Sequence, residues 1–484
     1  MQFLKLNIRP DFAFWEDFVN LKRYRHHFHI MPPVGWLNDP NGSCFFNGLY
    51  HIFFQYSPDT PLGGKKYWGH YVSENLTDWN FKGEPLAPDT EFDCDGVYSG
   101  CAFIDDGSME LFYTGNVKHP GNFDYINEGR GHNVLYVNSP DGVAFEKKIP
   151  LLLNKDYPAE LSCHVRDPKV WKKNGAYYML LGARTRDSKA ALLLFSSSDK
   201  KKWNFARLFK PADDFGYMLE CPDYFALSDK FVIAACPQGI PLSDKKFQNV
   251  YHSGYVLLDK DCLLESSDEE LNSVFDKSRF VEWDTGFDFY APQTFLAKDG
   301  RRLLVGWAGV PDAPYGNDPA VEAGWQHSLT LVRELTLKNG KILQNPVREL
   351  ESLRGAAVAI QKNSVKLDSY CFDSEFEFDS PSIAKIRCNE DFSISFENST
   401  LSLEFLNETG CGRKIRRTEL ETLKSIRLIV DESLIEIYVN NGEKVFTSRY
   451  YPVEETGALL SFDGVKSAAV WNMEVQNEHI VCYR

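Results

Sequence analysis

Asp39, Asp167 and Glu220 each stand within two residues of a proline, in Trp36-Leu37-Asn38-Asp39-Pro40-Asn41-Gly42, Arg166-Asp167-Pro168 and Glu220-Cys221-Pro222-Asp223. Three such acids around one pocket suit glycosidic bond cleavage. That reaction needs one carboxylate to attack or assist and one protonated acid to release the leaving oxygen, while a third can hold hydroxyls. The local contexts differ. Glu220 follows the apolar Met218-Leu219, which favours its protonated form, whereas Asp39 lies among Asn38, Asn41 and turn amides that would keep it ionised. Arg166 beside Asp167 is expected to keep that acid ionised too. The bland alternative for Asp39 is a turn cap, because Asn-Asp-Pro-Asn-Gly is turn chemistry. Partners converging on the same place would exclude it.

A loose repeat supplies that convergence. Turn pairs followed by apolar, aromatic-rich strands recur at Asn47-Gly48, Asp106-Gly107, Asn174-Gly175, Ser228-Asp229 and Asp299-Gly300. Such pairs join antiparallel strands. Strands recurring at intervals of roughly 55 to 70 residues predict a β-propeller, and the count predicts five blades. Roughly seven to nine residues ahead of the turn pairs stand Asp39, Ser99, Asp167, Glu220 and Tyr290. Residues of equal phase line one axial pocket in a propeller.

Beyond residue 350 the chain changes to period-two alternation, as in Ser374-Glu375-Phe376-Glu377-Phe378 and Ile435-Glu436-Ile437-Tyr438-Val439, with an Asn441-Gly442 turn. That pattern predicts a β-sandwich. The expected chain is all-β: a leader over 1–28 packed on the main body, a five-bladed propeller over 29–350 and a sandwich over 355–484. Residues 11–24 have roughly helical spacing. In His26-His27-Phe28-His29 only His27 and His29 share a face of an extended segment, and no acid or Cys stands at ligand spacing, so no metal is expected.

A formal net charge of −15 argues against nucleic acid or an anionic membrane as partner. The 11 Cys form no Cys-x-x-Cys pair, and no N-terminal apolar run precedes a small-residue cleavage site. These features predict free thiols and a cytoplasmic location. The expected partner is a small sugar, no cofactor is called for, and the oligomeric state is left open.

The motifs Trp36 to Gly42, Phe54-Gln55-Tyr56, Trp68-Gly69-His70, Tyr98-Ser99-Gly100, Arg166-Asp167-Pro168, Glu220 to Asp223, Asp288-Phe289-Tyr290-Ala291 and Gly306-Trp307 occur in order. The set resembles that of glycoside hydrolase family 32, the invertases, fructanases and sucrose-6-phosphate hydrolases. The resemblance runs from about residue 28 to 350 and is weaker beyond. It implies a retaining β-fructofuranosidase in which Asp39 is the nucleophile, Glu220 the general acid/base and Asp167 the transition-state stabiliser. It also implies substrate contacts from Asn38, Gln55, Trp68, Tyr98, Ser99, Arg166, Tyr290 and Trp307. One departure concerns the stretch after Phe-Gln-Tyr, where many relatives carry a tryptophan and this chain has Pro61-Leu62-Gly63-Gly64-Lys65-Lys66-Tyr67-Trp68. Gly-x-Lys-x-Trp here looks more like the sucrose-6-phosphate hydrolases. Lys65 and Lys66 could then face a phosphate or form a solvated pair, and Arg184 and Arg186 raise the same question. The rival readings are an arabinan- or xylan-cleaving propeller and a non-catalytic carbohydrate-binding propeller.

Overall fold

The computed structural model describes residues 23–211, 215–453 and 457–474. The helical spacing expected over 11–24 falls almost wholly outside them. Five antiparallel sheets follow one another in the first part of the chain, and their first strands are Gly35–Phe46, Val97–Asp105, Leu161–Lys173, Met218–Leu227 and Tyr290–Leu296. All five anticipated turn pairs lie in the connection from the first to the second strand of a sheet. At Asn47-Gly48, Asp106-Gly107 and Asn174-Gly175 both residues have positive φ, the geometry that matches strand twist in two-residue hairpins. Each first strand packs beside the next, and the fifth returns to the first.

The first sheet gains a parallel strand, Trp325–Gln326, which pairs Gly35 with Trp325 and Trp36 with Gln326. Gly35 is required there: its φ is +78°, and a Cβ would stand 2.3 Å from the Ser57 carbonyl oxygen.

Every first strand carries a register shift, near its start in four of them and at the middle of Leu161–Lys173. Asn38-Asp39 face Gln55 alone, Ser99 is an extra residue between Tyr98 and Gly100, and Asp167-Pro168 face Leu181. Cys221-Pro222 face Ala235, and Ala291-Pro292 face Gly306. Proline cannot donate to the ladder, so four of the five shifts sit at a proline, and a bulge re-aims the side chains around it. Asp167, Cys221 and Ala291, each preceding a proline, take φ of 65°, 45° and 46°.

Residues 354–473 form two six-stranded antiparallel sheets. Phe372, Phe376, Ile386, Ile394, Leu403, Leu428, Ile437 and Leu460 fill the core of this part. Leu434–Val439 is buried at every position, Glu436 included. Glu436 receives Arg333 Nη2 at 2.9 Å, and the same nitrogen lies 3.0 Å from Asp284, so buried charges are paired across the two parts of the chain.

The histidine cluster belongs to this seam. His29 Nδ1 lies 2.7 Å from Asp431 and Nε2 lies 3.1 Å from Glu436. The spacing argument missed these carboxylates because they lie some four hundred residues away in sequence. His26, His29 and Asp431 come within metal-ligand reach of one another. Both ring nitrogens of His29 are already engaged by acids, which favours the imidazolium over a metal ligand. Burial opposes that charge, but the two acids prevail and raise the His29 pKa to about 9.

Candidate active site

The bulged ends of the first strands surround a cleft of about 330 Å³ lined by Asn38, Asp39, Gln55, Ser99, Arg166, Asp167, Glu220 and Tyr290. All five residues of the repeat phase therefore meet in one place, as the spacing requires.

Asp39 is held by neutral donors. Its Oδ1 accepts from Asn38 Nδ2 at 3.0 Å, and its Oδ2 accepts from Ser99 Oγ at 2.6 Å and Gln55 Nε2 at 3.1 Å. Trp36 Nε1 donates to Asn38 Oδ1 at 2.8 Å, which turns the amide so that its NH2 group faces Asp39. Asn41 bridges two sheets, its Nδ2 donating to the Asp39 carbonyl and its Oδ1 accepting from Gly100 N. The expectation of a plainly ionised Asp39 needs correcting. Burial raises its pKa, the Ser99 and Asn38 hydrogen bonds counter this, and the charge of Glu220 adds to the rise.

Glu220 is held by one guanidinium nitrogen and two neutral donors. Arg166 Nη2 lies 2.5 Å from Oε1, while Gln238 Nε2 and the Tyr290 hydroxyl donate to Oε2 at 2.7 and 2.6 Å. Met218 and Leu219 ahead of it are both fully buried, and Glu220 is turned toward the cleft. Arg166 also corrects the expectation for Asp167. Its Nε stands 3.9 Å from Asp167, which instead accepts from Cys221 N at 2.9 Å. Burial outweighs the distant guanidinium and, with the charge of Glu220, pushes Asp167 up to about 7.

Of the other expected contacts, Tyr98 and Trp307 line the cleft and Trp68 does not. Trp68 is fully buried, and its Nε1 donates to the Tyr98 carbonyl at 3.0 Å, so it supports the wall from behind. The paired lysines separate: Lys65 is exposed, whereas Lys66 lines the cleft, lies over the Trp36 ring at 4.9 Å and donates to Ser57 Oγ. Arg184 stacks on Tyr217, and Arg186 is exposed and bonded to the Ala159 carbonyl; neither lines the cleft.

Trp36, Arg130, His132, His164, Pro311 and Asp312 complete the lining, and of these the sequence motifs included only Trp36. His164 precedes Arg166 by two and so shares its strand face, a signal available in the sequence. Arg130 opens the strand Arg130–Ser139 with no local signal.

The N-terminal domain of glycosyl hydrolases family 32 matches residues 29–346, and the family's C-terminal domain matches residues 349–477. The chain is 37% identical to a sucrose-6-phosphate hydrolase of Bacillus subtilis, over 95% of this chain and 96% of that one. A solved sucrose-6-phosphate hydrolase from Lactobacillus gasseri superimposes with a TM-score of 0.83 at 27% identity, covering 95% and 96% of the two chains. A Bombyx mori family 32 β-fructofuranosidase gives 0.81 at 29%, covering 94% of each. With both family domains matched in order along nearly the whole chain, this protein belongs to glycoside hydrolase family 32.

Proposed function

We propose that this β-fructofuranosidase cleaves sucrose and, in preference, sucrose 6-phosphate, with Asp39 attacking C2 of the fructosyl unit. Glu220 protonates the departing oxygen and then, as a base, activates the water that hydrolyses the fructosyl-enzyme. Asp167 and Asn38 hold fructose hydroxyls, with Gln55, Ser99 and Tyr290 completing that subsite.

One observation carries the assignment: the two acids are held differently. Asp39 meets only neutral donors, which suits a nucleophile that must release its charge into a new bond. Glu220 meets a guanidinium and an amide that only donate, which suits its carboxylate form as base, and the Tyr290 phenol, which can turn from donor to acceptor when Glu220 carries a proton as acid.

On this reading the five sheets are five blades of one propeller over 29–350 followed by a sandwich from 355 onward; the described end of the leader lies against the sandwich, not the propeller alone, through Tyr24, His26, His27 and Phe28 on Asp431 and Ser433. The ring of first strands supports the blade count. The preference for a phosphorylated substrate follows the named relatives, and with it a cytoplasmic location. Among the described residues no helix is long and apolar enough to cross a membrane.

The test is turnover of sucrose in the presence of methanol. Retention yields methyl β-fructofuranoside, and Asp39→Asn abolishes it. An inverted methyl fructoside, or undiminished turnover by the variant, would remove Asp39 as nucleophile.

A further inference from the structure

The cations of the cleft are distributed unevenly about Glu220. Arg166 bonds Glu220 through Nη2 and His164 Nδ1 through Nη1, the latter at 2.6 Å. An arginine only donates and the Tyr125 carbonyl, 3.1 Å from His164 Nε2, only accepts. His164 is therefore the neutral tautomer with its proton on Nε2. Burial, together with the charges of Arg166 and Arg130, holds its pKa down to about 3.

Arg130 stands next on this wall. Its Nη1 donates to Asn116 Oδ1 at 3.1 Å, its Nε is buried with no acceptor among the described residues, and none of them supplies it with a carboxylate. Lys66, the other cleft cation without a carboxylate partner, lies elsewhere on the lining, on Trp36 and so beside Asn38 and Asp39.

The departing sugar must lie against Glu220, which protonates its oxygen. From Glu220 the wall continues through Arg166 and His164 to Arg130, whose charge acts on His164. The phosphate of sucrose 6-phosphate is carried by the departing glucose. A phosphate is recognised best by a guanidinium fork, which supplies parallel donors that an ammonium lacks. We propose that Arg130, rather than Lys66, is the specificity residue that binds a phosphate on the leaving sugar, with His164 and Arg166 fixing the wall beside it. The inference rests on the phosphorylated-substrate reading above.

The experiment compares kcat/KM for sucrose 6-phosphate and sucrose in the unmodified enzyme and in Arg130→Gln, Arg130→Lys and Lys66→Gln. The expected selectivity ratio is high in the unmodified enzyme and falls about ten- to a hundred-fold in Arg130→Gln, mostly through KM. Arg130→Lys restores part of it by keeping the charge, and Lys66→Gln moves both substrates together. A ratio near one in the unmodified enzyme would end the phosphorylated-substrate reading itself. A high ratio that Arg130→Gln leaves in place, or that Lys66→Gln abolishes, would overturn the assignment to Arg130 alone. Turnover of sucrose and the thermal midpoint of each variant separate loss of recognition from loss of fold.

Discussion

Arg166 gives its guanidinium to Glu220, 2.5 Å away, and not to its chain neighbour Asp167, from which its Nε is 3.9 Å distant. Adjacent residues on a strand point to opposite faces, and only the bulge at Asp167-Pro168 brings both toward one cleft. Arg166→Lys keeps the charge but cannot serve Glu220 and His164 at once. It should lower kcat by about 10²-fold, the lower end of what acid/base assistance contributes, with a smaller effect on KM. Steady-state kinetics on sucrose test this.

Glu220→Gln should reduce sucrose turnover by about 10²–10⁴-fold. With β-fructofuranosyl fluoride, whose leaving group needs no proton, formation of the fructosyl-enzyme should be largely retained, and rapid-quench release of fluoride measures it. Because the charge of Glu220 helps to raise the pKa of Asp39, the acid limb of that step should move to lower pH in the variant. A limb that moves upward would contradict the coupling.

Asp167 sets function against stability. Its folded pKa is raised to about 7, chiefly by burial, while an unfolded aspartate titrates near 3.8. The folded state therefore binds the proton more tightly, so this group's contribution becomes progressively unfavourable as pH rises from 3.8 to about 7. Asp167→Asn should raise the thermal midpoint more at pH 8 than at pH 5 while lowering activity. Calorimetry at the two values checks the sign.

His29 works in the opposite sense. Its folded pKa is raised to about 9, so its charged pairing is fully present below 6.5 and is lost as pH climbs through 9. Glu436, held down to about 2 chiefly by Arg333 and His29 against the cost of burial, contributes above its ordinary range and loses that on acidification. His29→Asn leaves two buried carboxylates short of a partner and should cost about 3–5 kcal/mol near neutral pH. The gap in melting temperature between the two proteins should narrow from pH 6.5 to pH 10.

The acids of the site were legible because chemistry and periodicity coincide at them: turn pairs fix the phase, and prolines mark the bulges. The same reasoning misplaced Trp68. A tryptophan in a motif looks alike whether it faces sugar or stands behind Tyr98, and that choice depends on which face of Tyr67–Ser73 meets the core. The protonation pattern was misjudged for a related reason, since sequence neighbours reveal charge but not burial, and burial dominates at Asp39 and Asp167. Arg130, His29–Asp431 and the Trp325–Gln326 pairing are contacts between distant segments with no local signature.

That last pairing bears on how the enzyme comes into being. As the chain leaves the ribosome, the strand bearing Asp39 emerges early, while the strand that covers its free edge emerges only after all the first strands have been made. Until then the edge at Gly35 and Trp36, a few residues ahead of Asp39, is unpaired, the kind of surface that invites pairing with other chains. Closure comes late and costs the entropy of joining distant segments. This edge is thus closed only when about two thirds of the chain has been made, and the nascent chain has most need of protection from aggregation just before that point.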